Sequence, residues 1–148
     1  MTQEEFIKVL KKKKYSYEIE GDQIVVTVKK AVLLRDLTSL PTGVEFSNGG
    51  NVNLMSLTSL PPGVVFNNTG SVLLYSLTSL PPDVKFNNEG NVLLHSLISI
   101  SRGVVFSNEK NVRLDSLIGG WFNEWGGNIE GIDSKSLLNV TIKRGMFI

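Results

Sequence analysis

From residue 32 to residue 118 the apolar positions return on a fixed period. Leu37-Thr38-Ser39-Leu40-Pro41 recurs as Leu57-Thr58-Ser59-Leu60-Pro61 and again as Leu77-Thr78-Ser79-Leu80-Pro81, 20 residues apart each time. A weaker copy follows at Leu97-Ile98-Ser99-Ile100-Ser101, and a fifth opens at Leu117-Ile118 before Gly119-Gly120-Trp121 breaks the pattern. Two alternations lie inside each unit. Val44-x-Phe46 returns at Val64, Val84 and Val104, each followed two residues on by Phe. Val52-x-Leu54 returns at Val72, Val92 and Val112, with Val32-x-Leu34 as a forerunner. Alternation with a period of two predicts short strands buried on one face.

Between the strands stand Asn48-Gly49-Gly50, Asn68-Thr69-Gly70 and Asn88-Glu89-Gly90, residues that tolerate the positive φ expected of a tight corner. A second corner is the Pro-x-Gly group, clearest at Pro61-Pro62-Gly63. A unit this short cannot bury its own apolar residues, but stacked copies lay Val on Val, Phe on Phe and Leu on Leu. The predicted fold is therefore a β-solenoid: two short strands per 20-residue turn, parallel sheets, and a cap at each end. Asn48, Asn68, Asn88 and Asn108 form one column, whose amides are expected to satisfy backbone groups at the corner.

Open solenoid ends expose strand edges and need covers. Thr2-x-x-Glu5 is a capping-box signature ahead of Phe6, Ile7, Val9 and Leu10, which predicts a helix from Gln3 to Lys13. Residues 15–20 and 24–29, joined at Gly21-Asp22, read as a hairpin. Ile24 and Val26 stand one period before Val44 and Phe46, so the second hairpin strand doubles as a degenerate repeat. At the other end Trp121, Phe122 and Trp125 are expected to cover the last layer, and Asp133 or Ser134 to cap a helix running through Leu137, Leu138 and Ile142 to Gly145. The layout is a single domain: a cap over 1–30, repeats over 31–118 and a second cap over 119–148.

Composition narrows the chemistry. The 148 residues carry 15 Lys and Arg against 14 Asp and Glu, so no global field favours nucleic acid, an anionic membrane or an acidic substrate. With no Cys and one His, disulfides, thiolate nucleophiles and cysteine-ligated metals are excluded, and no cofactor is expected. The start carries acids where a secretory signal carries bases, and no stretch approaches a membrane span. The expectation is a cytoplasmic protein without membrane contact.

The recurring Leu-Thr-Ser-Leu-Pro-Pro-Gly-Val-x-Phe-Asn-Asn of Leu57 to Asn68, with the closing Gly119-Gly120-Trp121-Phe122 and Gly127 to Asp133, resembles short leucine-rich-repeat-like proteins of Bacteroidetes and of phages of gut bacteria. That resemblance spans nearly the whole chain. It implies repeat architecture and protein binding, transfers no catalytic residue, and, for a phage protein, implies the host cytoplasm and inhibition of a bacterial defence protein. Ordinary leucine-rich repeats match less well, because their Asn ladder falls where this chain has Leu57, Leu77 and Leu97.

In the Val-x-Leu strand, the residues between and after the inward pair face solvent. One column reads Leu33, Asn53, Leu73, Leu93, Arg113, and the other Arg35, Met55, Tyr75, His95, Asp115. Packing explains the repeated residues and leaves these free to vary, so Arg35, Met55, Leu73, Tyr75, Leu93, His95, Arg113 and Asp115 are the predicted partner-binding residues. Two readings compete: a protein interface with an apolar centre and polar edge, or side chains that merely favour β structure. Tyr75, His95 and Asp115 in adjacent rungs superficially suggest a proton relay, but no nucleophile or oxyanion donor accompanies them, and the expected role is non-catalytic. Self-assembly, as of a virion component, is a second function class. Nucleic-acid binding through Lys11, Lys12, Lys13 and Lys14, with Lys29, Lys30 and Arg35 nearby, is a third.

Overall fold

The computed structural model describes residues 1–114 and the two strands Gly120–Phe122 and Val140–Ile142. It is a parallel β-solenoid of about four turns with one helix at the amino end.

Helix α1 (Gln3–Lys12) begins where the capping box predicted. The Glu5 amide donates to Thr2 Oγ1 (3.2 Å) and the Thr2 amide donates back to Glu5 Oε2 (2.7 Å). That second bond holds the Glu5 carboxyl below the usual carboxylate range. The helix ends in a Schellman arrangement: Lys14 takes φ +59°, and the Tyr15 amide reaches back to the Leu10 carbonyl at 2.9 Å. Phe6 and Leu10 are fully buried against the first coil, and Gln3 Nε2 donates to the Asp22 and Thr42 carbonyls, tying the helix to both the hairpin turn and the first Pro-x-Gly corner.

Strands β1 (Tyr17–Glu20) and β2 (Gln23–Val26) form the predicted antiparallel hairpin, with Gly21 at φ +61° in its turn. β2 is also the first rung of the stack, since Ile24 pairs with Val44 and Val26 with Phe46 of β4 (Val44–Phe46). The sheet continues in parallel through β6 (Val65–Phe66), β9 (Lys85–Phe86) and β12 (Val104–Phe106). A second sheet stacks β3 (Val32–Leu33), β5 (Val52–Asn53), β7 (Val72–Leu73), β10 (Val92–Leu93) and β13 (Val112–Leu114), each residue above its counterpart one period earlier.

The coil has a third side that the two-strand reading lacked. In the later turns it carries β8 (Ser79–Leu80) and β11 (Ser99–Ile100), paired in parallel. In the earlier turns only single bonds mark the same ladder, such as the Thr58 amide to the Thr38 carbonyl at 3.1 Å.

Between these sides runs one apolar core. Phe46, Phe66, Phe86 and Phe106 stack nearly parallel, with centroids 5.1 to 5.4 Å apart and planes within 7°. Val, Leu and Phe columns are buried along the length, as the repeat predicts.

The Asn column does what was expected of it. Nδ2 of Asn68 donates to the carbonyls of Gly50 (3.0 Å), Gly70 (3.1 Å) and Ser71 (3.3 Å), and Asn48 and Asn108 repeat this pattern. The buried Oδ1 atoms of Asn48, Asn68 and Asn88 accept no hydrogen bond among the described residues, so the donating half of each amide carries its structural role. A neighbouring ladder is new: Asn51 Oδ1, Ser71 Oγ and Asn91 Oδ1 each accept the amide of the residue one coil later.

The glycines of that corner have a different purpose from the one expected. Within the described repeats positive φ occurs at Gly43, Gly63, Asp83 and Gly103, all at the Pro-x-Gly corner, and not at Gly50, Gly70 or Gly90. At Gly70 and Gly90 the constraint is space, because a Cβ would come within 2.6 Å of the preceding coil's backbone. Among these corners Asp83 alone holds the left-handed conformation with a side chain (φ +64°). Asp83→Gly should therefore raise stability by about 0.5–1 kcal/mol in urea unfolding, and an unchanged or lower midpoint would count against strain at this corner.

At the carboxyl end the parallel stacking changes. β14 (Gly120–Phe122) pairs antiparallel with β13, Arg113 opposite Trp121, where the sequence breaks its period. β15 (Val140–Ile142) pairs in parallel with β12, Val104 opposite Val140. The predicted carboxyl-terminal helix therefore does not extend through Ile142, whose backbone is claimed by the edge of the first sheet. The remainder of that helix, and Trp125, lie outside the described residues.

Candidate functional site

The outward side of the second sheet is built by the strands just described. Leu33, Asn53, Leu73, Leu93 and Arg113 sit in register on consecutive rungs, so their Cα atoms repeat at the strand spacing of about 4.8 Å. Leu33 is 39% exposed, while Leu73, Leu93 and Arg113 are half-buried. Asn53 is buried, and its Oδ1 accepts the Met55 amide at 3.2 Å. It thus interrupts the apolar column between Leu33 and Leu73.

The second column is placed differently from the prediction. Arg35, Met55, Tyr75 and His95 are the first residues of a turn that ends each strand, closed by bonds such as Leu57 N to Leu54 O at 3.1 Å. They line the edge where the second sheet meets the third side. The turns are linked from coil to coil, as when Ser76 Oγ donates to the Met55 carbonyl at 2.6 Å. Met55, Tyr75 and His95 are half-buried and Arg35 is exposed. The Tyr75 and His95 rings meet edge to face with centroids 4.6 Å apart, a favourable aromatic geometry. Asp115 lies outside the described residues.

The structure thus gathers Met55, Leu73, Tyr75, Leu93 and His95 along one side, with Arg113 at one end and Arg35 at the other. Two exposed apolar residues of the repeats stand outside the predicted binding set, Leu33 although the sequence placed it in the outward column. Leu33 is the most exposed member of its column, and Ile98, at 65% exposure, stands on the third side. The signal for Ile98 is the column Thr38, Thr58, Thr78, Ile98, in which the last member changes from polar to apolar.

At the amino end Lys11 and Lys12 close helix α1 and Lys13 caps it, all exposed. Lys30 does not join their cluster as a free charge: its Nζ lies 5.6 Å above the Tyr15 ring. The Tyr15 hydroxyl in turn accepts the Leu33 amide at 3.1 Å, satisfying a donor on the open edge of the second sheet.

Among the described residues no group of three or more His, Asp or Glu could hold a metal ion, and no helix is long and apolar enough to cross a membrane. No protein-family model matches the chain, and neither a curated protein nor a solved structure is significantly similar to it.

Proposed function

We propose that the chain is a non-catalytic protein-binding module, and that it engages its partner through Met55, Leu73, Tyr75, Leu93 and His95. One observation supports this reading most: core positions repeat nearly residue for residue from coil to coil, whereas the outward positions beside them vary along the stack and carry a half-exposed apolar strip. Nothing in the packing of a coil requires Leu at 73 and 93, since Asn serves at 53. An apolar strip with arginines at its ends has the composition of a binding surface. In the form suggested by the resemblance to phage repeat proteins, the partner is a bacterial defence protein.

Tyr75→Ala with Leu93→Ala should reduce partner capture from a bacterial lysate by more than about 30-fold, the loss typical of a central aromatic and its neighbour. Unfolding should shift by no more than about 1 kcal/mol, since both side chains are partly solvated. Equal capture by parent and variant sinks this assignment. Recovery of only the chain itself would point to self-assembly instead.

A further inference from the structure

A groove of about 360 Å³ lies between helix α1 and the first coil, away from the aromatic strip. Its walls are Val9, Leu34 and Leu37, and its rim carries Lys12, Lys13 and Asp36. The volume falls within the range of real ligand sites, about 300–1,000 Å³. Leu34 is buried in the core and Val9 and Leu37 pack against it, so the floor is a fixed part of the fold.

The rim decides what could enter. Neither Lys12 nor Lys13 has an ion pair among the described residues, and Lys11 and Lys14 extend the same exposed basic run. Asp36 opposes them with one negative charge, next to Arg35 in the chain. The net field at the mouth is positive and the floor is aliphatic. Single-stranded nucleic acid binds through aromatic platforms on which bases stack, and this groove has none. An occupant that suits both parts has a bulky apolar group flanked by carboxylates.

We infer that this groove binds an acidic peptide segment, seating one Leu, Ile or Phe side chain on Val9, Leu34 and Leu37 while Asp or Glu on either side faces Lys12 and Lys13. This site is independent of the sheet surface that carries Tyr75 and Leu93.

The test uses the whole chain and two pools of short synthetic peptides. Both pools centre on Leu, Ile or Phe; one is flanked by Asp and Glu, the other by Lys and Arg. At low ionic strength the acidic pool should bind and shift the backbone NMR signals of Val9, Lys12, Lys13, Leu34 and Leu37. Lys12→Gln with Lys13→Gln should weaken binding several-fold, and Lys12→Glu with Lys13→Glu by more than about tenfold, because charge near an interface acts on association and falls with salt. Both pairs are on the surface and should leave the unfolding midpoint nearly unchanged. Replacing the central apolar residue by Ser should also abolish binding.

Equal binding of the two pools, indifference to the lysine substitutions, or shifts confined to the Leu73 and Tyr75 surface would each overturn the inference. So would failure of the acidic pool to bind while anionic phospholipid vesicles or single-stranded RNA are retained. A partner whose capture needs Tyr75 and Leu93 but not Lys12 and Lys13 would leave the proposed function standing and remove the groove alone.

Discussion

Replacing Phe66 by Ala is expected to cost about 4 kcal/mol, the middle of the range for truncating a buried aromatic. Phe66 is fully buried and stacked on both sides, with Phe46 at 5.4 Å and Phe86 at 5.1 Å. Neither neighbour can collapse into the vacated space, because each is held at the strand spacing by its own rung. Small domains have a total stability of only about 5–15 kcal/mol, so one such substitution removes a large part of it. In a solenoid each coil contacts mainly its neighbours, and the damage should be local at first. Hydrogen exchange should accelerate most in the rungs of Phe46, Phe66 and Phe86. Val65→Ala, one residue away on the opposite face and half-buried, should cost no more than about 1 kcal/mol. Similar urea midpoints for the two variants would refute a stacked aromatic core.

Asn68→Asp should be nearly as damaging at neutral pH, and its cost should depend on pH. The substitution is close to isosteric, but it removes a donor shared by three carbonyl oxygens and sets a carboxylate among them. Leaving a buried charge uncompensated costs about 3–5 kcal/mol. Burial and the facing carbonyls raise the folded-state pKa of this Asp above its unfolded value of about 3.9. The folded variant then binds more protons than the unfolded one. Its stability relative to the parent is therefore greatest below pH about 4 and is lost as pH rises through the raised folded-state value. Denaturation of parent and variant across this range gives the test. A constant difference between them would mean that the site admits solvent, against the 0% exposure of Asn68.

Much of this architecture is legible in the chain because the solenoid writes each packing relation several times. Val44, Val64, Val84 and Val104 occupy one structural position, so a requirement of that position appears as repetition. Asn48, Asn68, Asn88 and Asn108 were readable for the same reason, and so was Ile24 as a rung before the repeats begin. The second ladder at Asn51, Ser71 and Asn91 was less visible, because Ser and Asn serve the same acceptor function and the identity of the residue changes. The candidate surface was visible only as the complement of the ladders. That identified Leu73 and Leu93 as outward but left unresolved that Tyr75 and His95 stand on a turn, since period-two alternation does not mark the residue at which a strand ends.

By itself, then, the sequence determined the period, the inward columns, the capped helix and the hairpin, because each is imposed by local conformation or by stacking of identical neighbours. Other features depend on contacts between segments distant in the chain. The glycines at 70 and 90 answer to the closeness of another coil's backbone, a constraint indistinguishable in one dimension from a need for positive φ. Val140–Ile142 joins the sheet beside Val104–Phe106, and the helix meets Leu34 and Leu37 across a groove, through contacts made once and between distant segments. A contact made once leaves no periodic trace, so the placement of these parts follows from how the chain closes on itself in three dimensions.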